Sequence, residues 1–327
     1  MKKLFTTLLV SAITFMGLAD TFSLTKAEQQ QILNEADNWI DNMPDGLQDR
    51  LSDAVNHAMK GFFSEAEYFR NFRDTVGIGE YKVNIKNFQG GLNANIPMRL
   101  YSPVKKKNTG KLPLLIYFHG GGWSLGSLDT SERFCRALAS EGNIMVISVS
   151  YPMAPENPYP GALSICESAV EYLIAKAPEF DAESTKISLG GDGAGGNLAL
   201  EVYRKLPSKT KINSLVLYYP ILNVTGELNA SDKRTYGRGY GFDSRLWEAF
   251  LTAYNGEDDY SNKTLPPTLL ISAGRDIIIS DAKDFKSKHP QITLVEFTGA
   301  IHGFITDRQQ KTAFKKAVSF TDRFLTR

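Results

Sequence analysis

The feature that most constrains this chain is the alternation that begins at residue 112. From there, apolar runs of strand length take turns with helical stretches. LPLLIYFHG, NIMVISVSY, KISLGG, INSLVLYYP, PPTLLISAG and ITLVEFTG are strand-like. The segments around 129–141, 161–177, 194–206, 281–288 and 307–325 have helical spacing and fall between or after them. Near-continuous apolar runs mark strands buried on both faces. Repeated strand–helix units then predict an α/β fold, a mostly parallel sheet with helices on both sides.

Upstream the pattern is different. Residues 23–75 read as helical. Thr25 with Glu28 has the form of a capping box, and Ile32, Leu33, Ala36, Trp39 and Ile40 follow at helical spacing. A second helical stretch follows Pro44. Residues 80–88 alternate with period two, GGLNAN is turn material, and IPMRLYSP completes a predicted hairpin. Residues 220–262 break the later rhythm. They are polar, rich in Gly and Tyr, and lie between two strands, which predicts a lid or cap insertion.

Charge narrows the possible partners. Lys plus Arg is 37 and Asp plus Glu is 36, a net charge of +1. No basic excess is available to neutralise a phosphate backbone, so a nucleic-acid partner is not expected. Two cysteines and no CxxC pair give neither a disulfide framework nor a zinc site. Neither a metal nor a nucleotide cofactor is expected. At the N-terminus, Lys2 and Lys3 precede an uncharged apolar stretch, residues 4–19, with Gly17 and Ala19 at the −3 and −1 positions before Asp20. This is the pattern of a secretory signal peptide, residues 1–19, which predicts export to the periplasm or medium. The stretch falls short of the roughly 20 apolar residues that span a bilayer. Its removal takes the net charge from +1 to −1. No later stretch predicts a membrane span.

Three places carry chemistry. His119-Gly120-Gly121-Gly122-Trp123 follows directly on a buried strand. Bare glycine backbone there can aim N–H groups at a developing negative charge, the work of an oxyanion hole. Gly191-Asp192-Gly193-Ala194-Gly195 sits between the strand KISLGG and the helix NLALEVYRKL. That is the strand–turn–helix setting of a nucleophile elbow, G-x-S-x-G. Gly191, Gly193 and Gly196 also satisfy G-x-G-x-x-G. A dinucleotide site would place that pattern at the first βα turn with an acid about 20 residues on. Here several strands precede it, and INSLVLYYP carries no acid. The third place is a pair. Asp276 follows PPTLLISAG and His302 follows ITLVEFTG. Elbow, acid and histidine occur in the chain order of an α/β-hydrolase triad. Of the other histidines, His119 is in the glycine loop, His57 in the N-terminal helices, and His289 at the end of a predicted surface helix. Asp281, the nearest rival to Asp276, reads as the N-cap of the following helix.

HGGGW, YPMAPENPYP at 151–160, GDGAGGNLA, and then the Asp and the His resemble the hormone-sensitive-lipase-like family of α/β-hydrolases, which includes bacterial acetyl- and carboxylesterases. The resemblance covers roughly residues 80–325. It implies an eight-stranded, mostly parallel sheet with a helical cap built from the N-terminal residues 20–79 and the 220–262 insertion. It also implies oxyanion donors at Gly121, Gly122 and Ala194, and a small-molecule ester as substrate. Trp123, Phe242, Trp247 and Phe250 are candidate linings for an apolar acyl or aromatic pocket.

The chain departs from the family at the decisive position. The family has Ser where this chain has Gly193. Acyl transfer on this fold runs through the serine oxygen, so that route is closed. Neighbouring groups do not replace it: Asp192 should point away from the apex, Ser188 lies back on the strand, and Ser124 is on the glycine loop. Three readings stay open. The chain is an ester-hydrolase scaffold impaired by loss of its serine; or His302 and Asp276 act as a general base for proton abstraction or direct attack by water; or the protein binds an apolar small molecule without turning it over.

Overall fold

The computed structural model describes residues 22–71, 78–92, 95–107, 110–225, 227–257 and 263–327. The predicted signal peptide lies outside them, as do residues 226 and 258–262 of the predicted insertion.

The hairpin forms where alternation and turn chemistry predict it. β1 (Val83–Gly90) runs antiparallel to β2 (Ile96–Pro103), with Val83 opposite Pro103 and Gly90 opposite Ile96. The apolar runs become β3 (Leu112–Phe118), β4 (Met145–Val149), β5 (Ala182–Asp192), β6 (Ser214–Tyr218), β7 (Thr268–Arg275) and β8 (Thr293–Ile301). They join one eight-stranded sheet in the order β1-β2-β4-β3-β5-β6-β7-β8. Only the β1–β2 and β2–β4 pairs are antiparallel.

Strand pleating divides the core in two. On β3, Leu112, Leu114, Ile116 and Phe118 enter one apolar cluster, while Leu115 and Tyr117 enter the other. On β6, Leu215 and Leu217 face the first and Val216 and Tyr218 the second. Side chains two residues apart share a face, so the clusters cover opposite sides of the sheet. The first is roofed by α5 (Gly161–Lys176), α6 (Ala194–Lys205) and α9 (Ile279–Lys288), the second by α4 (Glu132–Gly142) and α10 (Lys311–Leu325). Cys135 on α4 and Cys166 on α5 therefore sit on opposite sides, both unpaired and buried.

The N-terminal helices separate into two groups. α1 (Lys26–Asp41) has its capping box: Thr25 Oγ1 accepts from Glu28 N, and Glu28 Oε2 accepts from Thr25 N. It lies on β8 and α10. α2 (Leu47–Met59) instead packs on α3 (Ser64–Asn71) and on α8 (Ser244–Tyr254), which belongs with α7 (Ala230–Tyr236) to the 220–262 segment. α2, α3 and α8 thus form a layer beyond the carboxyl end of the sheet.

The reading of Asp281 is corrected. α9 begins at Ile279, with Ile278 at the cap position, and Asp281 lies within the first turn. The turn starts early because Ile279 N donates to the main-chain oxygen of Asp276 (3.2 Å). In the first turn a carboxylate faces the positive end of the helix dipole, a favourable place that needs no capping bond.

Candidate active site

Four loops leave the carboxyl ends of parallel strands on the same edge. His119 follows β3, Gly193 follows β5, Asp276 follows β7 and His302 follows β8. In an open α/β sheet, that edge is where ligands bind.

Gly193 is the apex between β5 and α6. Its N–H donates to Tyr218 O (3.0 Å), and its oxygen accepts from Ile221 N (3.0 Å) and Asn197 N (3.2 Å). These bonds hold it at φ +52°, ψ −116°, a conformation glycine adopts without steric penalty. A Cβ added there would meet only His302, with Nε2 at 3.4 Å and Cε1 at 3.9 Å. Ala194 is the first residue of α6, where helical amides have no intrahelical acceptor.

His302 and Asp276 meet although they are 26 residues apart. His302 Nδ1 lies 2.7 Å from Asp276 Oδ2. A carboxylate only accepts, so Nδ1 carries the hydrogen and Nε2 of the neutral ring is left as an acceptor facing Gly193. Asp276 is further fixed by Ile278 N, which donates to Oδ1 at 3.3 Å. The Asp276 side chain is 1% exposed and that of His302 16%. The imidazole is flanked by Phe242, with ring centroids 4.4 Å apart, and by Tyr219 at 4.7 Å.

The glycine loop is held from beneath. Asp192 turns away from the apex, and its Oδ1 accepts from Tyr117 Oη (2.6 Å) and Gly120 N (3.0 Å). Burial pushes its carboxyl up to about 6. His119 stacks on Tyr151 with centroids 4.3 Å apart, and its Nδ1 lies 2.8 Å from Gly120 O. Burial pulls its imidazole down to about 4. Tyr151 Oη donates to His119 O (2.6 Å). Gly121 and Gly122 stand at φ +110° and +59°, and a Cβ on Gly122 would run into the Phe250 ring.

The aromatic candidates separate. Phe242 is at the site, beside His302. Trp247 stands behind it, 6.0 Å from Phe242 between centroids. Trp123 lies deeper, beneath the glycine loop. It is 0% exposed and stacks flat on Tyr254, with centroids 4.1 Å apart and planes 3° apart. The candidate replacement nucleophiles are not at the apex: Ser188 is buried on β5 against Ser214 Oγ (2.7 Å), and Ser124 is buried in the glycine loop. Phe250, a predicted lining residue, stands against Gly122, and Tyr219, which carries no motif signal, stands beside His302. Tyr219 immediately follows β6, at the same edge, which was the available signal.

Among the described residues, no group of three or more His, Cys, Asp or Glu side chains is placed to hold a metal ion. No described helix is long and apolar enough to cross a membrane.

A glycine loop, a strand–helix elbow, and an acid–histidine pair, in that order at the carboxyl edge of a mostly parallel sheet, define an α/β-hydrolase site. A family model of the alpha/beta hydrolase fold matches residues 115–306. The chain belongs to this family, within its hormone-sensitive-lipase-like esterases, and has an ester-hydrolase scaffold. It is 33% identical over 187 residues to the carboxylesterase NlhH of Mycobacterium tuberculosis, covering 56% of this chain and 57% of that one. It is 32% identical over 176 residues to an arylesterase of Saccharolobus solfataricus, covering 53% and 54%. The chain thus spans a little over half the length of these two relatives. An esterase structure from Pyrobaculum calidifontis superposes with a TM-score of 0.68 at 25% identity, covering 87% of this chain and 93% of that one.

Proposed function

We propose that the protein is an ester-hydrolase scaffold that binds small acyl esters or related carbonyl compounds but is inactive or strongly impaired in acyl-enzyme turnover. The observation that carries this reading is the relation of Gly193 to His302. The apex backbone is bent as an elbow, His302 Nε2 faces it, and only the side chain that would attack is missing. In this reading His302 is the base and Asp276 orients it and stabilises the imidazolium. Backbone amides of Gly121, Gly122 and Ala194 receive the carbonyl oxygen. Phe242, with Trp247 behind it, supplies apolar surface. The chemistry asks for no metal or cofactor.

Gly193→Ser tests the reading. The natural chain should hydrolyse short-chain p-nitrophenyl esters very slowly or not at all. Gly193→Ser should raise the rate by several orders of magnitude, the reverse of the roughly 10⁶ loss when such a serine is removed. His302→Ala in that background should abolish the gain. A folded Gly193→Ser protein that is inactive on a broad ester panel would sink the reading. If it still bound apolar ligands, the non-hydrolytic binding protein would take its place. His302-dependent turnover in the natural chain would instead favour direct attack by water.

We propose that residues 1–19 are an export signal removed before Asp20. Intact mass of protein exported from a bacterial host checks this, and a full-length membrane-retained product would contradict it.

A further inference from the structure

Arg70 is the penultimate residue of α3, far in sequence from every site residue. Its side chain is 15% exposed, and the guanidinium reaches three acceptor groups. Nε donates to Ser124 O (2.8 Å), and Nη2 donates to Ala154 O (2.9 Å). Nη1 and Nη2 form a fork on Glu156 Oε1 (2.6 Å) and Oε2 (2.9 Å). The ion pair holds the Glu156 carboxyl below its ordinary range.

Two of these acceptors are main-chain oxygens beside the glycine loop. Ser124 is two residues beyond Gly122, and its N–H donates to Gly121 O (3.1 Å). Ala154 N donates to Trp123 O (2.9 Å), so Ala154 already holds the residue between Gly122 and Ser124. Arg70 therefore grips both sides of one junction. On the other side of the loop, Phe250 fills the space against Gly122 and Tyr254 stacks on Trp123. Phe250 and Tyr254 belong to α8, and α8 packs on α2, which packs on α3. Three successive glycines have no side chains with which to fix their own path, so the shape of this loop must come from such neighbours. A rigid guanidinium fork can satisfy carbonyl and carboxylate acceptors together, which a lysine ammonium at the same site does not reproduce.

We propose that Arg70 is a positioning residue for the oxyanion loop: it couples the seating of α3 to the path of Gly121 and Gly122, and hence to the capacity of the loop to receive a developing oxyanion. The chemical consequence rests on the reading of that loop under Proposed function; the mechanical one does not.

Hydrogen exchange on the full chain tests the mechanical part. Arg70→Met should speed exchange of amides 119–126 by about tenfold or more, while amides of β5 and α6 keep their natural rates. Arg70→Lys should fall between, because one ammonium cannot hold all three acceptors. Unchanged exchange at 119–126 in Arg70→Met would overturn the proposal, as would an equal rise throughout the molecule. Should Arg70→Met fail to fold, Arg70→Lys and Glu156→Gln carry the same test, each with a local rise at 119–126 expected. In the Gly193→Ser background, Arg70→Lys should lower kcat about tenfold with KM within about twofold. A change in KM alone would overturn the link to oxyanion binding. An inactive Gly193→Ser parent would instead count against the ester-hydrolase reading, and the exchange result would still decide whether Arg70 holds the loop.

Discussion

Asp276 Oδ2 and His302 Nδ1 stand 2.7 Å apart at the ends of β7 and β8, with the carboxylate buried and the imidazole partly open. The bond selects the ring tautomer that leaves Nε2 free toward Gly193. Asp276→Asn would keep the shape but offer a donor as well as an acceptor, so the wrong tautomer becomes competitive. In the Gly193→Ser background, kcat on p-nitrophenyl acetate should fall by about 10⁴, the scale of the same change in a serine protease. Circular dichroism should be unchanged. A loss under tenfold would show that the pair does not set the base.

Gly122 and Phe250 make a steric prediction. Gly122 sits at φ +59°, and a Cβ there runs into the Phe250 ring. Gly122→Ala combines overpacking with an unfavourable backbone and should lower stability by about 2–4 kcal/mol in urea unfolding. Phe250→Ala creates a cavity of its own, yet the double variant should be more stable than the sum of the two losses predicts. Strict additivity would place the strain elsewhere.

Much of this site was legible because it follows from local pattern and chain order. Asp276 and His302 each follow an apolar run, and parallel strands bring such positions to one edge. Where reading failed, long-range packing decided. The surroundings of Trp123 were not legible, because Tyr254, 131 positions away, stacks over it and buries it. Asp281 looked like a cap because it precedes a polar helix, but the turn begins at Asp276, so the helix starts earlier. Arg70 gave no signal at all. Two of its partners are the main-chain oxygens of Ser124 and Ala154, which carry no side-chain signature, and the third, Glu156, lies 86 positions away. The elbow pattern predicts that Asp192 turns away from the apex, but its bonds to Tyr117 and Gly120 depend on the pairing of β3 with β5.

Cys135 and Cys166 should remain thiols. They occupy the two separate cores, and burial pushes both thiols well above their ordinary range. Thiol titration of denatured, unreduced protein should find two groups, and the native protein should react far more slowly because neither thiolate nor access is available. Finding no thiols after denaturation would contradict the placement of α4 and α5 on opposite faces.

Asp192 and His119 make opposing contributions to stability against pH. The Asp192 carboxyl is raised by burial from 3.8 to about 6. Between those values the folded chain holds a proton that the unfolded chain has lost, so stability falls as pH rises. The His119 imidazole is lowered by burial from 6.5 to about 4. Between those values the unfolded chain holds the extra proton, so stability rises with pH. Each slope is about 1.4 kcal/mol per pH unit, and the windows overlap from about pH 4 to 6, where the two contributions largely cancel. Single substitutions should therefore expose opposite slopes. Relative to the natural chain, Asp192→Asn should gain stability as pH rises from 4 to 6, because the His119 contribution is left alone. Its amide oxygen can still accept from Tyr117 and Gly120. His119→Asn should lose stability over the same interval. Titrating groups that do not interact with the substituted side chain are common to the three proteins and drop out of the differences. Urea unfolding at half-unit pH steps measures them, and parallel curves for all three would show that neither group titrates differently on folding.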